Sequence, residues 1–203
     1  MPILHTLYTE SSSLMFWEIK LYSEKLLLEY ELPLTDCDII ENTKGIKRKN
    51  ERLAARLCAK ERLKQEYQGI DYFENGKPFL INSKEHISIS HSGSIVCVNF
   101  SKNEKVGVDI QPPSEKIRRI AKKVFNVTEL KWANDDLDRL TELWCIKETA
   151  FKAAQILGLS FREEITIIAS GDLFNVRVIK GLQQILFKIK TFKFGEHCVA
   201  YTL

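Results

Sequence analysis

No stretch of this 203-residue chain approaches the ~20 consecutive apolar residues that a membrane-spanning helix needs, so membrane insertion is not expected. The opening, Met1 to Ile19, has no Lys or Arg ahead of an apolar run and so lacks the charged start of a secretory leader. A cytoplasmic protein is the expectation. The five cysteines, Cys37, Cys58, Cys97, Cys145 and Cys198, are odd in number and widely spaced, with no C-x-x-C pair of the kind that grips zinc. They read as reduced, mostly buried thiols. Charge of one sign is scarce too: a formal net charge of +3 is too small for wholesale nucleic-acid binding, where many phosphates are neutralised at once. No aromatic platform stands among the basic residues either. Without a low-complexity tract, a visible repeat or a Pro/Gly/Ser-rich linker, composition draws no domain boundary.

What is present is an ordinary globular balance, 44% apolar and 28% charged residues. The length suits one domain of about 200 residues or two packed units of roughly 100 each. From Thr43 to Tyr67, Leu53, Leu57 and Leu63 fall near helical spacing among good helix formers, which predicts a long amphipathic helix. Asn75-Gly76 signals a tight turn, and two short apolar runs around Ile87 and Val96 predict strands on either side of a His91-Ser92-Gly93 turn. Val106, Val108 and Ile110 alternate with Gly107, Asp109 and Gln111 until Pro112-Pro113 ends the strand. A helix is predicted over Thr141 to Leu157, with Leu143, Ile146, Ala150, Phe151, Ala154 and Leu157 as its apolar face and Gly158 as its C-cap. The tail alternates between Ser170-Gly171-Asp172, Lys180-Gly181 and Phe194-Gly195-Glu196, the pattern of antiparallel hairpins. The fold class is mixed α+β.

Four clusters carry candidate chemistry, each beside a plainer reading. Asp109 and Gln111 project from one strand face and offer hard oxygens to magnesium, or form a solvated polar face. Glu148 and Lys152 sit one helical turn apart in Trp144 to Lys152. They serve a metal and a phosphate, with Trp144 and Phe151 anchoring the helix, or make an exposed pair contributing only about 0.3–0.5 kcal/mol. Ser90 and His91 bind a phosphate with nearby amides, or are ordinary turn residues. Arg48, Arg52, Arg56 and Lys60 recur at four-residue spacing on a helix that also carries Lys44, Lys47 and Lys49. Most of that row reads as a solvated face, with one or two guanidinium forks matched to phosphate.

In order and company these clusters resemble the 4′-phosphopantetheinyl transferase superfamily, in particular its surfactin-synthetase-activating (Sfp-like) type. The basic helix, Asn75-Gly76-Lys77-Pro78, Ser90-His91-Ser92, Gly107-Val108-Asp109 and Trp144 to Lys152 follow the family's sequence of motifs, G-[IV]-D-[IV]-x and W-x-x-K-E-[AS]-x-x-K among them. The resemblance spans about Lys44 to Lys152 and implies two similar α+β halves about a pseudo-twofold axis, with coenzyme A in the cleft between them. Residues 1–103 would carry the basic helix and the 3′-phosphate contacts, and residues 104–203 the metal ligands. It implies magnesium held by Asp109 and Glu148, with Gln111 joining through water or its amide oxygen and Glu129 a further acid near the site. Lys152 would contact the pyrophosphate, and Arg48, Arg52, Lys77, Ser90 and His91 the rest of coenzyme A, with Lys44 a further candidate. Gln111 replaces a second strand acid and Thr149 the usual Ala or Ser.

The implied activity is transfer of phosphopantetheine from coenzyme A to a serine of an acyl or peptidyl carrier protein, releasing adenosine 3′,5′-bisphosphate. Glu148, or a water beside it, would take the serine proton, Lys152 would steady the leaving oxygen, and no covalent enzyme intermediate is required. Such carriers are acidic, so Lys116, Arg118, Arg119, Lys122 and Lys123 form a docking face by charge complementarity or a solvated helix face. A pseudo-dimeric chain implies a monomer. The rival reading is a non-catalytic protein that binds coenzyme A or an acidic partner through the same basic helix.

Overall fold

The first sheet is an antiparallel ladder whose aromatic and β-branched residues pack against a helix. In this computed structural model, which describes residues 3–9, 12–19, 29–169 and 173–203, the chain divides into two units, Met1–Glu104 and Lys105–Leu203. The first contains β1 (Ile3–Tyr8), β2 (Ser12–Glu18), α1 (Leu34–Glu41), α2 (Ile46–Leu63), β3 (Ile70–Tyr72), β4 (Pro78–Leu80), β5 (His86–Ser92) and β6 (Ile95–Ser101). Its sheet runs β1-β2-β6-β5, and β3 and β4 form a separate hairpin. Pairing of Met15 with Val98, Trp17 with Val96 and Ile87 with Phe100 lines up one apolar face. Leu53, Ala54, Leu57 and Cys58 of α2 join those residues in one buried core.

The predicted helix is shorter than Thr43 to Tyr67 because Gly45, at φ 83°, and Lys64, at φ 53°, break it at both ends. The turn after β5 is Gly93-Ser94, with Gly93 at φ 57° in a position where positive φ suits glycine. His91 and Ser92 are therefore strand residues, paired with Val96 and Ile95, and not turn residues.

The row of cations on α2 is not uniformly solvated. Arg56 is fully buried: its Nε donates to Asp36 Oδ1 at 2.7 Å and its Nη2 to the Ile70 carbonyl at 2.8 Å. Asp36, equally buried, also accepts from Tyr67 Oη at 2.6 Å and Ile70 N at 3.1 Å. Two ions removed from water need such full satisfaction, and the network ties α1, α2 and β3 together.

The second unit contains β7 (Val108–Gln111), α3 (Glu115–Val124), α4 (Val127–Ala133), α5 (Leu137–Ala154), β8 (Ile165–Ala169), β9 (Phe174–Lys180), β10 (Gln183–Phe194) and β11 (His197–Thr202). Its antiparallel sheet runs β7-β11-β10-β9-β8. Cys145, Ile146, Ala150 and Ala153 of α5 share a buried core with Val176, Val178, Ile189 and Ala200 of that sheet. Asp136 caps α5 by accepting from Arg139 N, and the helix ends at Gln155 in the left-handed region. Gly158 is thus not its C-cap, and Leu157, 70% exposed, lies beyond the helix and outside its apolar face. Of the predicted hairpin turns, Gly181 and Gly195 both adopt positive φ, while Ser170-Gly171-Asp172 lies outside the described residues. Among the described residues no helix is long and apolar enough to cross a membrane.

Gly107 sets the distance between β7 and α5. A Cβ there would stand 2.3 Å from the Thr149 carbonyl oxygen and 3.1 Å from the Ala153 Cβ. Its N–H donates to Thr202 Oγ1 at 3.0 Å and its carbonyl accepts from Thr202 N at 3.1 Å, so the strand cannot retreat without breaking the ladder. Thr149 donates its hydroxyl to the Ala200 carbonyl at 3.0 Å, which gives the polar atom of this small residue a buried partner.

Two stability predictions follow from these packings. Asp36→Ala leaves the Arg56 charge buried and unpaired, and urea denaturation should report a loss of about 3–5 kcal/mol. Gly107→Ala forces a methyl group against helix backbone, with an expected loss of about 1–3 kcal/mol or more in the same assay. An unchanged midpoint in either variant would contradict the packing described.

Candidate active site

Strand periodicity turns Asp109 to the same side of β7 as Gly107, the side that approaches α5 most closely. The expectation of a solvated polar face fails here, because Asp109 is buried. Lys152 Nζ donates to Asp109 Oδ1 at 2.8 Å and to the Val108 carbonyl at 2.9 Å. One turn earlier on α5 stands Glu148, whose carboxyl is pushed up to about 7, first by burial and then by the negative charge of Asp109, with Lys152 pulling the other way. Glu148 and Lys152 are therefore no exposed pair; half-buried themselves, they complete a group of two carboxylates and one ammonium around buried Asp109. Below them the Cys145 thiol donates to the Cys198 carbonyl at 3.6 Å. Burial, that neighbour and the Asp109 charge all push the thiol up, so it stays neutral.

Two hard carboxylates that repel each other fit a hard divalent cation. Among the described residues no group of three or more His, Cys, Asp or Glu is arranged to hold a metal. Gln111 lies two residues along β7 from Asp109 and is half-buried.

Glu129 does not join this group. Its Oε2 accepts from Asn126 N at 2.9 Å and pairs with Lys147 Nζ at 2.7 Å, while its Oε1 accepts from Ile167 N at 3.2 Å. Both oxygens are thereby committed to a capping box and a buried ion pair, a structural duty that replaces the expected place near the metal. Lys147 also donates to the carbonyls of Val124 and Phe161, at 3.1 and 2.6 Å. Burial lowers its pKa and Glu129 raises it. Trp144 stacks on Phe161 at 5.7 Å, and Phe151 meets the same ring at 5.4 Å.

In the first unit, Arg48, Arg52 and His91 line one cavity of about 170 Å³, together with Glu51 and Tyr72. Arg52 Nη1 donates to Thr43 Oγ1 at 2.6 Å, and its guanidinium lies 5.4 Å from the Tyr72 ring centre. Gly76 and Pro78 line the cavity as well, but the ammonium of Lys77 between them donates to the Glu104 carbonyl at 3.1 Å. Burial lowers the Lys77 pKa, and Glu104 partly restores it. Ser90 does not share the cavity with His91. It is buried, and the alternation of β5 turns it to the face opposite Ile89 and His91. Lys44 is exposed ahead of α2. Lys116, Arg119, Lys122 and Lys123 are exposed on α3, whereas Arg118 pairs with Glu115 and Asp135.

The class that emerges is an α+β protein with a carboxylate pair in one unit and a cationic cavity in the other. Residues 105–202 match the model of the 4′-phosphopantetheinyl transferase superfamily. The chain is 39% identical over 85 residues to the 4′-phosphopantetheinyl transferase gsp of Aneurinibacillus migulanus, an alignment covering 39% of this chain. To a Haemophilus influenzae protein provisionally named 4′-phosphopantetheinyl transferase it is 31% identical over 90 residues, again 39% of this chain. The chain spans 35% and 37% of the lengths of these two relatives.

The Glu148 carboxyl yields a pH prediction for the protein without a bound cation. Its ordinary value is 4.5 and its folded value about 7, so between these the folded state holds a proton that the unfolded state releases. The stabilisation is full below about 4.5 and is lost as pH rises through about 7. Urea midpoints measured with chelator from about pH 5 to about pH 8 should fall for the wild type, and Glu148→Gln should flatten that fall. Parallel profiles would overturn the assigned environment.

Proposed function

We propose that the protein transfers the 4′-phosphopantetheine group of coenzyme A to a serine of an acyl or peptidyl carrier protein, with magnesium. The observation that carries this reading is the group of Asp109, Glu148 and Lys152 inside a unit that matches the superfamily. Asp109 and Glu148 would hold the metal, with Gln111 completing the set through its amide oxygen or a water. When bound, magnesium neutralises charge on the pyrophosphate under attack.

The residues of the chain do the rest. Glu148, whose carboxyl lies near 7, or a water it holds, takes the proton of the serine hydroxyl as that oxygen attacks phosphorus. The bond from phosphorus to the oxygen of adenosine 3′,5′-bisphosphate breaks, and Lys152 places a positive charge beside the departing oxygen. The cavity of Arg48, Arg52 and His91 receives the 3′-phosphate. Lys77 lies next to that cavity, while Ser90 is left out of the assignment because its side chain turns away. Exposed Lys116, Arg119, Lys122 and Lys123 on α3 suit an acidic carrier by charge complementarity. An antiparallel sheet with an 18-residue helix in each unit, α2 and α5, supports the reading of two similar halves.

Incubation with an apo-carrier, coenzyme A and magnesium should raise the carrier's mass by one phosphopantetheine arm. Glu148→Gln, nearly isosteric and uncharged, should cut the transfer rate by about a hundredfold or more while leaving the circular dichroism spectrum unchanged. Binding of coenzyme A without any mass gain would favour a non-catalytic binding protein instead. Near-normal turnover by the variant would refute the role of Glu148.

A further inference from the structure

An arginine binds phosphate well only if its guanidinium is already in place, because the long side chain otherwise gives up its rotamer freedom on binding. In the cavity of the first unit, Arg52 is held in this way. Its Nη1 donates to Thr43 Oγ1 at 2.6 Å and to the Ile39 carbonyl at 3.4 Å. Thr43 donates its own hydroxyl proton to the same carbonyl, at 2.6 Å, and so meets Arg52 as an acceptor. Glu51, the carboxylate in the same wall, is engaged elsewhere: its Oε1 lies 3.3 Å from His91 Nδ1. Among the described residues, Nε and Nη2 of Arg52 have no hydrogen-bonding partner. That edge of the guanidinium is a fork that matches two phosphate oxygens.

The same guanidinium lies 5.4 Å from the centre of the Tyr72 ring, within the range at which a ring face attracts a cation. That ring is itself held. Arg56, one turn after Arg52 on the same side of α2, stands 5.9 Å from the same ring centre. Arg56 is fixed by Asp36 and by the Ile70 carbonyl, and Ile70 returns its N–H to Asp36. Ile70 and Tyr72 are two residues apart on β3 and so share a face of that strand. Tyr72 pairs with Pro78 across the β3–β4 hairpin, and both line the cavity. The buried ion pair fixes the strand, and the strand fixes the ring. We propose that Tyr72 is the positioning residue for Arg52: its ring face holds the guanidinium so that the Nε–Nη2 edge meets the 3′-phosphate of a nucleotide. The inference rests on the reading of this cavity as the 3′-phosphate site.

The test titrates the full chain calorimetrically with adenosine 3′,5′-bisphosphate and with adenosine 5′-phosphate, probes that differ by the one phosphate in question. The wild type should favour the bisphosphate by about tenfold or more, the effect of a charge-assisted hydrogen bond. Arg52→Ala should erase most of that ratio. Tyr72→Leu removes the ring face and should lower the ratio by about three- to tenfold without weakening adenosine 5′-phosphate. Tyr72→Phe keeps the ring and should stay within about twofold of the wild type. In the Arg52→Ala background, Tyr72→Leu should cause no further loss. Proton spectra of the nucleotide-free protein should show a ring-current shift on the Arg52 side chain in the wild type and in Tyr72→Phe, and none in Tyr72→Leu. Absence of that shift in the wild type overturns the inference, which keeps the test intact if Tyr72→Leu fails to fold. If Arg52→Ala leaves the nucleotide ratio unchanged, the cavity is not the 3′-phosphate site and the inference falls with that reading. If Arg52→Ala lowers the ratio while Tyr72→Leu preserves it, or weakens both nucleotides equally, the positioning role alone is overturned. A Tyr72→Phe variant as impaired as Tyr72→Leu overturns it too, because the hydroxyl and not the ring face would then be responsible.

Discussion

The close approach of Gly107 to the carbonyl of Thr149 is the constraint from which the second unit takes its form. A backbone-to-backbone contact that would leave only 2.3 Å for a Cβ holds β7 tight against α5, and it does so two residues before Asp109 and one after Glu148. The same proximity that packs the strand on the helix brings two carboxylates together. Their mutual repulsion, added to burial, raises the Glu148 carboxyl to about 7 and draws Lys152 onto Asp109 at 2.8 Å. A wider strand-to-helix spacing would let water in and return both groups to ordinary behaviour.

Each unit also anchors its long helix with a buried ion pair. In the first, Arg56 of α2 meets Asp36 of α1; in the second, Lys147 of α5 meets Glu129 of α4. Both cations also donate to backbone carbonyls, those of Ile70 in one case and of Val124 and Phe161 in the other. Such pairs add little net stability over apolar packing, but removing one partner is costly. Their effect is to specify the rotation of each helix about its axis. For α5, turning Lys147 inward points the next residue, Glu148, toward β7.

The two candidate clusters have opposite electrostatic characters. The first unit gathers Arg48, Arg52 and His91 around a single acid, and the second gathers two acids around a single ammonium. A cationic cavity attracts phosphate directly, whereas a carboxylate pair attracts a divalent cation that can in turn bind phosphate.

Much of this was legible in the amino-acid sequence, because local periodicity follows from backbone geometry alone. The α+β class, the long basic helix, the β5–β6 hairpin, the strand that carries Asp109 and the helix that carries Glu148 and Lys152 all announce themselves by spacing. Other elements did not. β2 is buried at six of its seven residues, and a strand without a wet face shows no alternation to read. The fate of individual polar groups was equally hidden: Arg56 among its solvated neighbours, Ser90 turned from His91, Glu129 committed to Lys147, Glu51 set against His91. Sequence by itself determined which chemistry-bearing residues exist and how they are spaced along each element. Tertiary structure decided which of them are buried, and against what, because a charge taken out of water is placed by the partners that long-range packing supplies and not by its neighbours along the chain.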